Sequence, residues 1–302
     1  MKILVLGSNG FIGSNVLKHF RKSYPETFGC DVFSPKEYDE KFFLLDKLNP
    51  QFDKLFIQNT FDVCINASGS GSVPYSIEHP DEDYRLNSRN VFDILSSISK
   101  FNMQCKFLNF SSAAVYGNPD VLPLSEKSRT KPVSPYGFHK LISEQICAEF
   151  YHLKKIRTCS MRVFSVYGEG LKKQLLWDMY QKSKQNPNIE LFGTGEETRD
   201  FIHIKDLIHA IECILEKSAF EADVINVATG IPTAIREVAM IFTNTINTGL
   251  HIQFNGSVKQ GDPLHLQAGI VLLSSYGFKS SVTLQEGLTD YFKWAEFQSI
   301  SV

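Results

Sequence analysis

The chain has 302 residues, of which 43% are hydrophobic and 21% charged, a length that suits one large α/β domain or a domain with a smaller appendage. Its formal net charge of −2, with no block of like charge, excludes the electrostatic footprint of a nucleic-acid or anionic-membrane surface, so an anionic ligand must be met by a few placed cations. No stretch reaches the roughly 18 apolar residues that span a bilayer, and the opening run MKILVLGSNG breaks at Gly7 without the h-region or cleavage site of an export signal. A cytoplasmic protein is expected. The 6 cysteines are scattered, have no C-x-x-C spacing and fall in apolar runs such as DVCINAS, which predicts buried free thiols rather than disulfides or a zinc site.

Along the chain, strand-length apolar runs alternate with helix-length segments. KILVLG precedes a helix FIGSNVLKHFRK; FGCDVF precedes a helix across LNPQFDKLFIQN; DVCINAS precedes DYRLNSRNVFDILSSISK; KFLNFSS precedes YGFHKLISEQICAEFYHLKK; and IRTCSMRVFSVYG closes the series. The strands are continuously apolar, which predicts a parallel sheet covered by helices on both faces. The expected fold class is α/β, a Rossmann-type doubly wound sheet over 1–165, with 200–230 returning to it and 166–302 forming mainly a smaller, interleaved α+β substrate lobe.

GSNGFIG sets Gly7, Gly10 and Gly13 at the mouth of the first helix, directly after the first strand. Glycine admits close approach of a diphosphate, and the helix N-terminus offers free N–H groups with partial positive charge. The spacing is G-x-x-G-x-x-G. Asp31, at the end of the second strand, is placed to accept from the adenosine ribose hydroxyls and to repel a 2′-phosphate, which favours NAD over NADP.

Three Tyr-x-x-x-Lys pairs occur: Tyr136/Lys140, Tyr151/Lys155 and Tyr180/Lys184. Only the first follows a serine-tipped strand, KFLNFSS, and opens a helix, so that both side chains share one face of its first turns. The other two pairs read as a packed tyrosine beside a solvated lysine. His203 and His209, beside Asp206 in FIHIKDLIHA, have no third ligand at a sensible spacing and read as capping and surface groups, so no metal site is expected.

These motifs together resemble the extended short-chain dehydrogenase/reductase family, in its nucleotide-sugar epimerase/dehydratase branch. The resemblance runs over almost the whole chain, through GSNGFIG, Asp31, SVPYSIEHP, Asn87, SSAAVYG, SPYGFHK, RVFSVYGEG, GTGEETRDFIHIKDL and QGDPLHLQAG. It implies NAD as cofactor, held by Gly7, Gly10, Phe11, Ile12, Gly13, Asp31, Asn87, Tyr136 and Lys140. It implies a catalytic set of Ser112, Tyr136 and Lys140. Tyr136 would take a proton from a sugar hydroxyl, its phenol lowered from about 10 by the Lys140 ammonium and the nicotinamide, and Ser112 would bridge the reacting oxygen. Ser165, Arg199 and Lys259 are the implied substrate contacts, with Arg199 suited to a phosphate.

Relatives that remove water across C5 and C6 carry a Thr-Asp-Glu run after the strand; here Ala113 and Ala114 stand in those places, and alanine transfers no proton. The expected activity is a nucleotide-sugar 4-epimerase. A 4-keto-6-deoxy sugar reductase is the alternative, with a dehydratase or a non-catalytic NAD-binding protein less favoured. The resemblance also implies a homodimer, formed through the helices near 84–100 and 136–153. Three departures stand out: Ser165 where an asparagine is common, Gly269 where an aspartate is common, and no glycine following Asn87 in NSRN.

Overall fold

The computed structural model describes residues 1–35, 37–246, 249–257, 261 and 263–300. In chain order its strands are β1 Ile3–Leu6, β2 Thr27–Asp31, β3 Phe42–Leu44, β4 Val63–Asn66, β5 Lys106–Ser112, β6 Thr158–Val163, β7 Ser165–Tyr167, β8 Asn188–Leu191, β9 Thr198–His203, β10 Glu221–Val227, β11 Pro232–Ala234 and β12 His251–Phe254. The helices are α1 Phe11–Ser23, α2 Asp53–Ile57, α3 Val73–Glu78, α4 Pro80–Tyr84, α5 Asn90–Phe101, α6 Pro135–Lys154, α7 Gln174–Gln185, α8 Ile204–Lys217, α9 Ile235–Ile246, α10 Val271–Ser275 and α11 Leu284–Ile300. A π turn, Arg85–Arg89, joins α4 to α5.

Seven strands make one sheet in the order β10-β6-β5-β4-β1-β2-β3, and every neighbouring pair is parallel. This is the doubly wound α/β fold expected of the apolar runs. Successive side chains of β1 go to opposite faces, as the pleat requires. Ile3 and Val5 pack with Val16 and Phe20 of α1 and with Leu207 and Ile211 of α8; Leu4 and Leu6 pack with Val91 and Ile94 of α5 and Phe150 of α6. Both faces are therefore core, and all four β1 side chains are buried, each worth about 1.5–3 kcal/mol of transfer free energy.

Strand order reverses between β1 and β4, where the chain winds first toward β3 and then toward β6 and β10. At such a switch point the crevice outside the carboxyl ends of β1 and β4 is where ligands of a doubly wound sheet bind. A third apolar cluster, including Met179, Tyr180, Phe242, Leu288 and Phe292, holds α7, α9 and α11 around the smaller sheets β11-β9-β7 and β12-β8. The expected helix over LNPQFDKLFIQN shrinks to α2, because Pro50 restrains Asn49 and the Asp46 carboxylate accepts from Leu48 N at 2.8 Å and Asn49 N at 2.7 Å, which fixes a turn instead. All six cysteines are buried and unpaired.

Candidate functional site

The loop from β1 into α1 is built by glycine. Gly7 has φ +74°, and a Cβ there would stand 2.7 Å from Ala67 O and Ser68 N of the loop after β4; a Cβ on Gly13 would stand 2.1 Å from Gly7 O. Neither position accepts a side chain without moving backbone. The turn is closed by Gly10 N donating to Gly7 O at 3.0 Å, while Gly7 N donates to Cys30 O at 2.8 Å. α1 has no side-chain cap and no acid in its first turn, so its leading N–H groups face the crevice with their partial charge unopposed. Phe11 and Ile12, half-buried, anchor that turn on the core, and Phe11 also lies against Gly170 of the loop entering α7.

Asp31 ends β2 beside this loop. Its Oδ2 accepts from Asn9 N at 2.9 Å and its Oδ1 from Val32 N at 2.7 Å and Phe33 N at 3.3 Å. Three backbone donors thus orient the carboxylate, and lone pairs remain on both oxygens.

Ser112, Tyr136 and Lys140 are brought together on the other side of the crevice. Ser112 is the last residue of β5, its Oγ accepting from Ala114 N at 3.2 Å and lying near enough to the Tyr136 hydroxyl to favour the phenolate. Tyr136 sits in the first turn of α6, which is started by Ser134 as N-cap, its Oγ accepting from Gly137 N at 3.2 Å, and by Pro135 at the position where no N–H is needed. Tyr136 N donates to Ser76 Oγ at 3.1 Å, fixing the turn to α3. One helical turn on, the buried Lys140 reaches back so that Nζ donates to Phe110 O at 2.8 Å and lies 5.9 Å from the Tyr136 ring centroid. Tyr151 is half-buried beside an exposed Lys155, and Tyr180 is a core residue beside an exposed Lys184, so neither pair faces the crevice strands.

Burial dominates the electrostatics of the pair. Burial pushes the Tyr136 phenol up, the Ser112 hydrogen bond pulls it down and the Asp83 carboxylate raises it again. Burial brings Lys140 down to about 8, with Asp83 opposing. In the chain alone burial outweighs the pull of Ser112 on the phenol, and the expected lowering draws on the nicotinamide as well as on Lys140.

Ser111, next to Ser112, is turned away and gives its hydroxyl to Glu144 Oε1 at 2.5 Å, where Glu144 also meets Arg162 through Nη2 at 2.7 Å and Nε at 2.9 Å. Arg162 Nη1 donates to Tyr116 OH at 3.0 Å, completing a buried network that anchors β5, β6 and α6 under the catalytic edge. Asn87 is buried in the π turn, a helix irregularity of the kind that concentrates at functional sites.

The substrate-side residues are more dispersed. Ser165 opens β7, half-buried, and Arg199 lies on β9 with Nη1 donating to Thr198 O at 3.0 Å and Leu264 O at 3.1 Å. Lys259 lies outside the described residues. A cation that sequence reasoning did not single out is Lys173, an exposed side chain at the N-cap position of α7: its Nζ lies 3.8 Å from where a Cβ on Gly71 would be, above the loop after β4. It has no carboxylate partner among the described residues, and Gln174 Nε2 beside it donates to Gly71 O at 3.4 Å. Only its position in space marks it. His203 caps α8, its Nδ1 accepting from Lys205 N at 3.3 Å, and Asp206 binds Ser281 and Val282, so both belong to helix and loop structure. Among the described residues no cluster of three or more His, Cys, Asp or Glu side chains is suited to a metal, and no helix is long and apolar enough to cross a membrane.

Residues 3–228 match the family described as NAD dependent epimerase/dehydratase. The chain belongs to that family. It is 26% identical, over 97% of its own length and 97% of the relative's, to a putative UDP-glucose 4-epimerase of Methanocaldococcus jannaschii. Among solved structures it is similar to MoeE5 in complex with UDP-glucuronic acid and NAD, with a TM-score of 0.89, 24% identity and coverage of 99% of this chain and 100% of that one. The UDP-glucuronic acid 4-epimerase of Bacillus cereus, in complex with UDP-glucuronic acid and NAD, follows with a TM-score of 0.88, 24% identity and the same coverage. At that identity the likeness of the structures is one of fold. NAD is the cofactor of the family, and the crevice fits it: the glycine turn that a Cβ would fill, the open first turn of α1 and the buried Asn87 Oδ1, which has no partner among the described residues, are what a dinucleotide completes.

Proposed function

We propose that this chain is an NAD-dependent nucleotide-sugar 4-epimerase. The observation that carries the reading is the convergence of Ser112, Tyr136 and Lys140 at the carboxyl edge of β5, with the hydroxyls of Ser112 and Tyr136 near one another and Lys140 one helical turn away. A sugar hydroxyl that reaches this edge meets a phenol and a serine hydroxyl able to exchange a proton with it. Bound NAD supplies a hydride acceptor that returns the hydride, and the positive charge that favours the phenolate.

In this scheme the first turn of α1 holds the cofactor diphosphate, Asp31 binds the adenosine ribose hydroxyls, and Lys140 holds the nicotinamide ribose. Tyr136 removes the proton from the sugar oxygen as the carbon gives up its hydride, and returns it when the 4-keto sugar has turned over. Ser112 keeps that oxygen within reach of the phenol. Lys173 and Arg199 supply the positive charge for the substrate diphosphate, Lys173 as a point charge and Arg199 through its planar fork. Next to Ser112 stand the buried Ala113 and the half-buried Ala114, which offer no second acid and base for water removal; this favours epimerisation over dehydration.

The test incubates the purified protein with a panel of UDP-, dTDP-, GDP- and CDP-hexoses without added NADH and follows the C4 epimer by chromatography or NMR. Conversion to an equilibrium mixture, with NAD retained at substoichiometric turnover cost, is the expected result. Reduction of 4-keto-6-deoxy sugars that requires stoichiometric NADH, with no epimer formed, would replace the epimerase reading by a reductase.

A further inference from the structure

Asp83 is a carboxylate that the proposed chemistry leaves unused, and it is fully buried. From α4 its Oδ1 accepts from Asn87 Nδ2 at 3.0 Å, and its Oδ2 lies 2.6 Å from Nδ1 of His139, whose side chain is 13% exposed. His139 stands on α6 between Tyr136 and Lys140, edge-on to Tyr84, and its carbonyl accepts from Ser88 Oγ at 2.9 Å. A carboxylate only accepts, so the Asn87 amide has one orientation: its NH2 turns to Asp83 and its Oδ1 turns away. That Oδ1 has no partner among the described residues, and it aims at the loop after β4, 2.5 Å from where a Cβ on Gly69 would stand. A buried carbonyl oxygen without a donor costs free energy until a donor arrives, and this loop floors the crevice.

We propose that Asp83 is a positioning residue that fixes the Asn87 amide with Oδ1 toward the crevice, as acceptor for a hydroxyl or amide donor of the bound dinucleotide, and that ties this acceptor through His139 to the helix carrying Tyr136 and Lys140. The carboxylate also acts through its field. Burial is the larger influence on Tyr136 and Lys140, and Asp83 raises both. Beside the pair, Phe110 O and Ser112 from β5 and Ser76 from α3 are neutral, and from the π turn Asn87 and Ser88 bond Asp83 and the His139 carbonyl. His139 pairs with Asp83 itself, and Glu82 turns to Tyr75 and Arg85. Loss of the negative charge therefore lowers both pKa values together.

The experiment measures NAD affinity by calorimetry on nucleotide-stripped protein for wild type, Asp83→Asn, Asn87→Ala and the double variant. Each single change is expected to weaken NAD about tenfold, and the double variant to bind no more weakly than Asn87→Ala, since Asp83 acts through Asn87. Unchanged affinity in Asp83→Asn, or losses that multiply in the double variant, overturns the proposal. His139→Phe removes one anchor of Asp83 and leaves the carboxylate, so it carries the test if Asp83→Asn does not fold; a loss of about threefold supports the proposal and no loss overturns it. A second arm, which rests on the epimerase reading, follows the pH–rate profile of Asp83→Asn. Both limbs are expected to move to lower pH by about half a unit or more, whereas a purely structural role lowers the rate and leaves the limbs in place. Absence of turnover in wild type would fail the epimerase reading and leave the NAD comparison intact.

Discussion

Tyr136→Phe removes one oxygen and nothing else. In the structure that hydroxyl lies near Ser112, while Ser112 keeps the Ala114 N–H at 3.2 Å, and the start of α6 rests on Ser134, Pro135 and the bond from Tyr136 N to Ser76, none of which the substitution touches. The stability cost is therefore at most that of one ordinary hydrogen bond, about 0.5–1.5 kcal/mol, which at this chain length lowers Tm by no more than about 5 °C. The catalytic cost is that of a lost acid/base group, about 100- to 10,000-fold in kcat, or roughly 3–5 kcal/mol of transition-state stabilisation. NAD affinity changes little, because the glycine turn, Asp31 and Lys140 remain. The assay compares initial rates on the active nucleotide-hexose, NAD affinity and thermal melting in the same preparations. A rate within tenfold of wild type refutes the assignment of the proton transfer to this phenol, and a loss of rate that tracks a large fall in Tm refutes the argument that the hydroxyl is catalytic rather than structural.

Lys140→Met should separate function from stability with opposite sign. With its pKa at about 8 in the folded state against 10.5, Lys140 binds fewer protons folded than unfolded between those values, so its burial costs most below about pH 8 and the cost is relieved as pH rises toward 10.5. The cofactor-free variant is expected to be about 1–3 kcal/mol more stable than wild type at pH 7, to lose the rise in stability above pH 8 and to lose activity, all seen in denaturant titrations across pH. Glu144→Gln leaves the Arg162 guanidinium buried without its charge partner and should cost about 3–5 kcal/mol in thermal or urea unfolding. Lys173→Ala should raise KM for the nucleotide sugar about three- to tenfold and flatten its salt dependence while NAD affinity and Tm stay unchanged; Lys173→Arg should restore most of the loss.

The sheet was legible because its strands are apolar on both faces, and only a parallel sheet between two helical layers buries such runs. Likewise, GSNGFIG could be recognised as a diphosphate turn because its glycines fall between a strand and a helix, where the contacts of 2.7 and 2.1 Å at Gly7 and Gly13 now supply the steric reason. Asp83 and Lys173 were not legible. Asp83 falls in the helix-length segment DYRLNSRNVFDILSSISK, which gives no sign that it packs against His139 of α6, and GLKKQ gives no sign that one lysine reaches over Gly71. The state of Lys140 was not legible for a related reason: spacing reports that it is near Tyr136, and says nothing of the Phe110 carbonyl that takes its proton donor or of the burial that lowers its pKa.

What the sequence determined by itself is local chemistry: strand and helix periods, the glycine turn, the Ser-Pro start of α6 and the choice of one Tyr-x-x-x-Lys pair among three. Each depends on residues within a turn or two of one another. The meeting of α4, the π turn and α6 around Asp83, the crossing of Lys173 to the β4 loop and the burial of Arg162 with Glu144 were decided by tertiary packing alone. Burial and charge pairing act across space between segments far apart in the chain, and they set the protonation of the groups that the sequence only names.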